Sequence, residues 1–276
     1  MAEKKILKKE YRTGYFFADM SDTDKAVYDI VQDFMRNTPA FKNKELWAKY
    51  CVFLYLSGAR RIEPFMMNST ITKIEEDGHI YYRIKKVNAK HFTGSRLKPE
   101  VDAETGKVKK SKAVLSNIYN PKRKIMENRF VAWNKYEKAL FEFLLNGNLM
   151  VSLNFKPLLP SYGKRAKKID ESFNSLSYNG ESKAIRQYGS QISDRFSKLF
   201  KADVVNQETM KVEHMGIVPH MLRHVRAYDL LVNKELRESM VQRLIGWESE
   251  MVYYYADIES SMGEKQETEI YHSMGA

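Results

Sequence analysis

One cysteine, seven prolines and 13 glycines among 276 residues exclude a disulfide scaffold, a collagen-like repeat and a proline-rich linker protein. Cys51 has no partner for an internal disulfide and sits in an apolar stretch, so it reads as a buried, inert thiol in a reducing compartment. Long hydrophobic runs are also missing. The longest, around Tyr50–Leu56, falls far short of the roughly 18 to 20 residues that cross a bilayer. The opening Met-Ala-Glu-Lys-Lys-Ile-Leu-Lys-Lys carries charge but no apolar core of the length a signal peptide needs. These features predict a chain that neither spans nor binds a membrane, and no repeat period suggests a solenoid.

What is present is positive charge. Lysine and arginine number 46 against 35 aspartates and glutamates, a formal net charge of +11. Such an excess points to a polyanionic partner, nucleic acid ahead of an acidic membrane surface. With 43% hydrophobic and 12% aromatic residues, the chain has the material for a real core. Its length allows one large domain with short appendages.

Ser21-Asp22-Thr23-Asp24 has the form of a helix start, followed by Val27, Ile30, Val31 and Phe34 at helical spacing to about Asn37. Leu46, Tyr50, Phe53 and Leu54 repeat the pattern up to Ser57-Gly58, where glycine permits a left-handed turn. From Ile71 to Val87 the period becomes two, with Ile80, Tyr82 and Ile84 alternating after an Asp77-Gly78 turn, which predicts a hairpin. Residues 92–124 lose periodicity and carry many lysines, which predicts a basic insertion, either a solvated loop or a contact to a DNA backbone. A further strand is expected at Arg129–Trp133. Helices are expected at Tyr136–Leu145, Tyr188–Phe200, Val218–Val232 and Leu236–Ile245, the last closed by Gly246. The class expected is therefore α+β, mostly helical, with a small antiparallel β-sheet.

Three distant segments carry the candidate chemistry. They are Leu56-Ser57-Gly58-Ala59-Arg60-Arg61-Ile62-Glu63, His220-Met221-Leu222-Arg223-His224, and Leu244-Ile245-Gly246-Trp247 followed by Tyr253, Tyr254 and Tyr255. In content and order they resemble the Gly-Leu-Arg-x-x-Glu, His-x-x-Arg-His and Leu-Gly-His/Trp-to-tyrosine motifs of the tyrosine recombinase catalytic domain. The Ser249-Glu250-Met251 stretch is similar to archaeal members, which suggests an integrase of an archaeal virus, plasmid or other mobile element. The resemblance covers roughly residues 21–257. It leaves 1–20 as a basic N-terminal segment and 258–276 as a C-terminal tail.

The resemblance implies a site-specific recombinase that cleaves and rejoins duplex DNA through a covalent 3′-phosphotyrosyl link, with no nucleotide, cofactor or obligatory metal. Attack on a phosphodiester builds negative charge on its non-bridging oxygens, and fixed donors aimed at them contribute on the order of 100-fold each. Arginine suits the task because it is planar, bidentate and always charged. On this basis Arg60 and Arg223 form the phosphate clamp, while Arg61, Arg226 and Arg237 read as surface arginines at helix ends. His220, one turn before Arg223, supports proton transfer and phosphate contact. His224 reads equally as a packed histidine. Trp247 offers one N–H donor and no acceptor, so it bonds the phosphate or packs on the nucleophile without relaying protons.

The family spacing of nine residues lands on Ala256, so Tyr255, at eight, is the expected nucleophile and Tyr254 the alternative. The family's hairpin lysine, general acid to the leaving 5′-oxygen, is placed at Lys90, with Lys86 second. Arg60 comes too early for the helical clamping domain that usually precedes the catalytic one, which implies a minimal recombinase or an excised catalytic fragment. The expected partner is double-stranded DNA in the cytoplasm, at the nucleoid. A homo-tetramer on DNA is expected, linked by the tail at 258–276, with a monomer in solution as the other possibility. A zinc hydrolase built on His220 and His224 lacks the glutamate such enzymes place between their ligands, since Met221 holds that slot. A catalytically inactive DNA-binding protein of the same fold, a type IB topoisomerase and a telomere resolvase stay open as alternatives.

Overall fold

Asp22 starts the first helix, α1 (Thr23–Asn37): its side chain accepts the Lys25 backbone N–H at 3.0 Å, satisfying one donor that the first turn leaves open. The computed structural model describes residues 17–66, 68–92, 105, 123–159, 181–206 and 211–247. The second helix, α2 (Lys44–Ser57), is buried at every position from Tyr50 to Ser57, so it forms the centre of the domain rather than a surface layer. Cys51 lies inside it, and burial pushes its thiol well above the usual range. Gly58 ends α2 in the left-handed region at φ +57°. A short helix, α3 (Glu63–Met66), follows.

Strands β1 (Ser69–Glu76) and β2 (His79–Phe92) form the expected hairpin. Asp77 and Gly78 both take positive φ, at 52° and 75°, as a two-residue turn between right-twisted strands requires. With β3 (Arg123–Phe130) and β4 (Met150–Leu153) they make an antiparallel sheet in the order β3-β2-β1-β4. The inward face packs on α4 (Lys135–Leu145), where Phe141 stacks on Tyr82 with ring centroids 4.3 Å apart. The strand expected at Arg129–Trp133 lies earlier in the chain, and Val131 and Trp133 are exposed beyond its end. The ends of the basic stretch at 92–124 belong to the sheet, because Phe92 pairs with Arg123; apart from Thr105, residues 93–122 lie outside the described residues.

After a short 3-10 turn at Lys156–Leu158 come α5 (Glu181–Leu199), the hairpin β5 (Lys201–Asn206) and β6 (Lys211–Gly216), α6 (Pro219–Tyr228) and α7 (Glu238–Ile245). The helix expected to Val232 stops at Tyr228 and continues as a wider π-type turn over Asp229–Asn233. Phe17 is buried against this hairpin and bridges Val204 of β5. The result is the expected mostly helical α+β architecture with a small antiparallel sheet. α2 packs against α1, α4 and α6, so it holds the sheet side and the α6 side of the molecule together.

Candidate active site

The end of α2 admits the Ile245 side chain of α7 because Gly58 has no Cβ, and the end of α7 lies close to the sheet because Gly246 has none. A Cβ on Gly58 would fall 2.3 Å from Ile245 Cδ1, and one on Gly246 (φ +81°) would fall 2.6 Å from Asn88 Nδ2. Both are helix-ending glycines in the left-handed region, so their backbone conformation and the lack of a Cβ are needed at once. Arg60 follows directly. Its Nη1 donates to Glu63 Oε1 at 2.8 Å and to Asn88 Oδ1 at 3.1 Å, and its backbone N–H donates to Glu63 Oε2 at 2.8 Å. Glu63 is buried, and it anchors an arginine whose side chain stays 16% exposed and so is reachable from outside.

Lys86 of β2 and Arg223 of α6 converge on the same place from the sheet and from the helix. Lys86 Nζ donates to the Ser57 carbonyl and, at 3.5 Å, to that of Ile245. Arg223 Nη1 donates to the Gly58 carbonyl and, at 3.1 Å, to the Ile245 carbonyl. Arg223 Nη2 is buried with no hydrogen-bond partner among the described residues. The guanidinium lies over the Trp247 ring, 5.5 Å from its centroid, in cation–π range.

The electrostatics follow from three cations around one carboxylate. Burial drives Lys86 down to about 7; Glu63 resists that fall, while Arg223 and Arg60 add to it. Burial, then Arg60, pushes the Arg223 guanidinium down to about 9, which leaves it charged at neutral pH. Burial alone would raise Glu63, yet Lys86, Arg60 and Arg223 together hold it below the usual carboxylate range.

His220 is exposed at the rim and meets His224 edge to face, with ring centroids 4.5 Å apart. His224 is buried, and burial, His220 and Arg223 depress it to about 3, so it is neutral at pH 7. The structure thus brings Arg60, His220, Arg223 and Trp247 together from three distant segments. For Lys90 it describes the β2 backbone and not the side chain, while Tyr254 and Tyr255 lie outside the described residues. Lys86, Glu63, Asn88 and Asn128 belong to the cluster without having been assigned to it as first choices. Lys86 and Asn88 carried a signal, because they continue the inward phase of Ile80, Tyr82 and Ile84 along one strand.

The surface reading of Arg226 is corrected. It is only 1% exposed, with Nη2 2.6 Å from Glu137 Oε1 and Nη1 2.8 Å from Asp229 Oδ2. Three carboxylates make that burial tolerable, Asp229 from the next turn and Asp24 and Glu137 from distant segments, so no short stretch of sequence displays them together. Arg61 is half-buried and donates to Ser193 Oγ at 3.0 Å, while Arg237 is exposed.

No protein-family model matches the chain, and no curated protein matches it either. Among solved structures it is similar to the XerH site-specific recombinase bound to its difH substrate in a pre-cleavage complex, at 14% identity and a TM-score of 0.39. The match covers 86% of this chain, which spans half the length of that one.

Proposed function

We propose that the protein is a DNA strand transferase of the tyrosine recombinase type, acting on duplex DNA without nucleotide or cofactor. The observation that supports this most is the charge balance of the cluster: among the described residues Arg60, Lys86 and Arg223 surround Glu63 alone, and the donors of Lys86 and Arg223 rest on neutral backbone carbonyls. The surplus positive charge at this depth, one from the two arginines over Glu63 and a second whenever Lys86 is protonated, suits a phosphodiester, whose charge grows as a nucleophile adds to phosphorus. The order of the Arg60, His220–Arg223 and Trp247 motifs along the chain supports the same reading.

In this mechanism Arg60 and Arg223 hold the non-bridging oxygens, with His220 and the Trp247 indole N–H at the rim. The phenol oxygen of Tyr255 forms the new bond to phosphorus while the bond to the 5′-oxygen breaks. The phenol proton passes to a base or water, and Lys86 supplies the proton that the 5′-oxygen takes. Lys86 fits this role because it lies beside Arg223 in the cluster and burial lowers its ammonium to about 7, which puts its acid form in reach of loss at neutral pH; Lys90 is the alternative. A new 5′-hydroxyl then reverses the steps, so the phosphotyrosyl bond conserves the energy. The assembly proposed is a tetramer on DNA, in the cytoplasm at the nucleoid.

Covalent capture tests the reading. Wild type, Tyr255→Phe, Tyr254→Phe and Arg223→Ala proteins are incubated with nicked suicide duplexes made from fragmented source DNA, then denatured, and the attached DNA is sequenced. Adducts formed by wild type and lost with Tyr255→Phe are expected. Loss with Tyr254→Phe alone moves the nucleophile by one residue, and tight DNA binding without any adduct refutes strand transfer.

A further inference from the structure

The last carbonyls of a helix have no partner inside it, and the way α7 satisfies them is unusual. A Schellman-type closure uses only one: the Gly246 and Trp247 N–H groups both donate to the Gln242 carbonyl, at 2.8 and 2.9 Å. The carbonyls of Leu244, Ile245 and Gly246 are taken by side chains from other elements. Asn128 Nδ2 of β3 donates to Leu244 at 2.9 Å, Arg223 and Lys86 share Ile245, and Asn88 Nδ2 of β2 donates to Gly246 at 3.2 Å. The carbonyl that the two cations share is therefore flanked on both sides by carbonyls that asparagines hold to the sheet. Both asparagines are buried, so their amides sit in a defined place rather than sampling solvent.

We infer that Asn128 and Asn88 are positioning residues. They lock the C-terminus of α7 to the sheet, and so fix the Ile245 carbonyl that orients Lys86 and Arg223, together with the Trp247 ring that Arg223 faces. The inference rests on the phosphate-handling reading of the cluster. Asn88 also accepts from Arg60, so it ties the first motif to the last. Asn128 donates to α7 and, among the described residues, accepts from none of the three cations, which makes it the cleaner residue to change.

The test compares wild type, Asn128→Leu, which keeps the shape without the donor, and Asn128→Gln, which keeps an amide. Hydrogen exchange at the Gly246 and Trp247 amides is read beside that of the α2 core, along with inorganic phosphate affinity, duplex DNA affinity and the rate of covalent adduct formation at saturating DNA. In Asn128→Leu the two amides should exchange at least tenfold faster while α2 stays protected. Phosphate affinity should fall about tenfold, and the adduct rate at least thirtyfold. Duplex affinity, dominated by many backbone contacts, should change less than threefold. Asn128→Gln should recover part of the phosphate affinity.

Unchanged exchange at Gly246 and Trp247 overturns the lock, and faster exchange with unchanged phosphate affinity overturns its role in orienting the cations. Should wild type form no adduct, strand transfer fails, while the exchange and phosphate measurements still decide the positioning.

Discussion

Arg223 and Arg226 stand three residues apart on α6, both at most 2% exposed, and they live in opposite electrostatic worlds. Around Arg226 and Lys234 gather three carboxylates, Asp24, Glu137 and Asp229, with Lys234 Nζ 2.6 Å from Asp229 and 2.9 Å from Asp24. Around Arg223 gather, among the described residues, two more cations and Glu63 as the one carboxylate. Each arginine leaves one buried nitrogen without a partner among the described residues, Nη2 in Arg223 and Nε in Arg226, so orphaned donors do not separate the two. The sign of the surrounding charge does. A buried charge costs several kcal/mol unless it is matched, and the Arg226 cluster matches its cations within the protein. The Arg223 cluster does not among the described residues, and in the proposed function a bound phosphate supplies the missing counter-charge.

The surplus in each cluster shows in its acids. Asp24 is raised by burial and then by Asp229 and Glu137, whereas Asp229, against the same burial, is lowered by Arg226 and Lys234. Tyr55 donates to Asp24 Oδ1 at 2.8 Å, and Asn134 donates to its Oδ2 at 2.9 Å, tying α1, α2 and the start of α4 into one knot.

The sharpest way to break the comparison is to remove each arginine in turn. Arg226→Met should cost about 3–5 kcal/mol of unfolding free energy in urea, because it strands three buried carboxylates with one lysine. Arg223→Met should leave stability within about 1 kcal/mol of wild type. It should instead lower adduct formation by about 100-fold or more, measured on the same suicide duplexes. Equal destabilisation by both substitutions would erase the distinction.

Two pH dependences sharpen it further. Lys86 sits near 7 in the folded protein against 10.5 in the open chain, so between those values the unfolded state binds more protons. Stability should therefore rise as pH climbs from about 7 toward 10.5, and Lys86→Met should flatten that rise in urea titrations run across the range. His224 sits near 3 against 6.5 in the open chain, so it makes stability fall as pH drops from 6.5 toward 3. His224→Phe should reduce that acid sensitivity, read as a smaller loss in melting temperature between pH 7 and pH 5. The smallest effect belongs to Arg237→Ala, on the exposed turn before α7, which should shift stability by no more than about 0.5 kcal/mol.

How much of this was legible in the sequence depends on how far apart the causes lie. The starts and stops of α1, α2 and α7 are written in Asp22, Gly58 and Gly246, each acting within a few residues of itself. The hairpin at Asp77-Gly78 was equally local. β4 was missed because four residues carry too little alternation to stand out, and β5–β6 because exposed Lys211, Glu213 and His214 hide a strand that only half packs. Lys86 was legible in principle from its phase with Ile80, Tyr82 and Ile84. Lys90 rests on the resemblance of Asn88-Ala89-Lys90-His91 to the family's hairpin tip, in a stretch where the pairing of β2 with β3 is irregular between Val87 and Phe92. Arg226 was misread for a different reason. Its partners are spread from Asp24 to Asp229, and nothing near Arg226 in the chain announces Asp24 or Glu137.

Ligand-linked stability tests the central claim, that the Arg223 cluster takes its counter-charge from a phosphate, without depending on any DNA site. Melting temperature is followed against inorganic phosphate at constant ionic strength, with chloride as the balance, for wild type and Arg223→Met. A ligand that binds only the folded state raises stability by RT ln(1 + [L]/Kd), so wild type should gain with a saturating dependence that Arg223→Met lacks. Equal gains in both proteins, or none in wild type, would contradict the account.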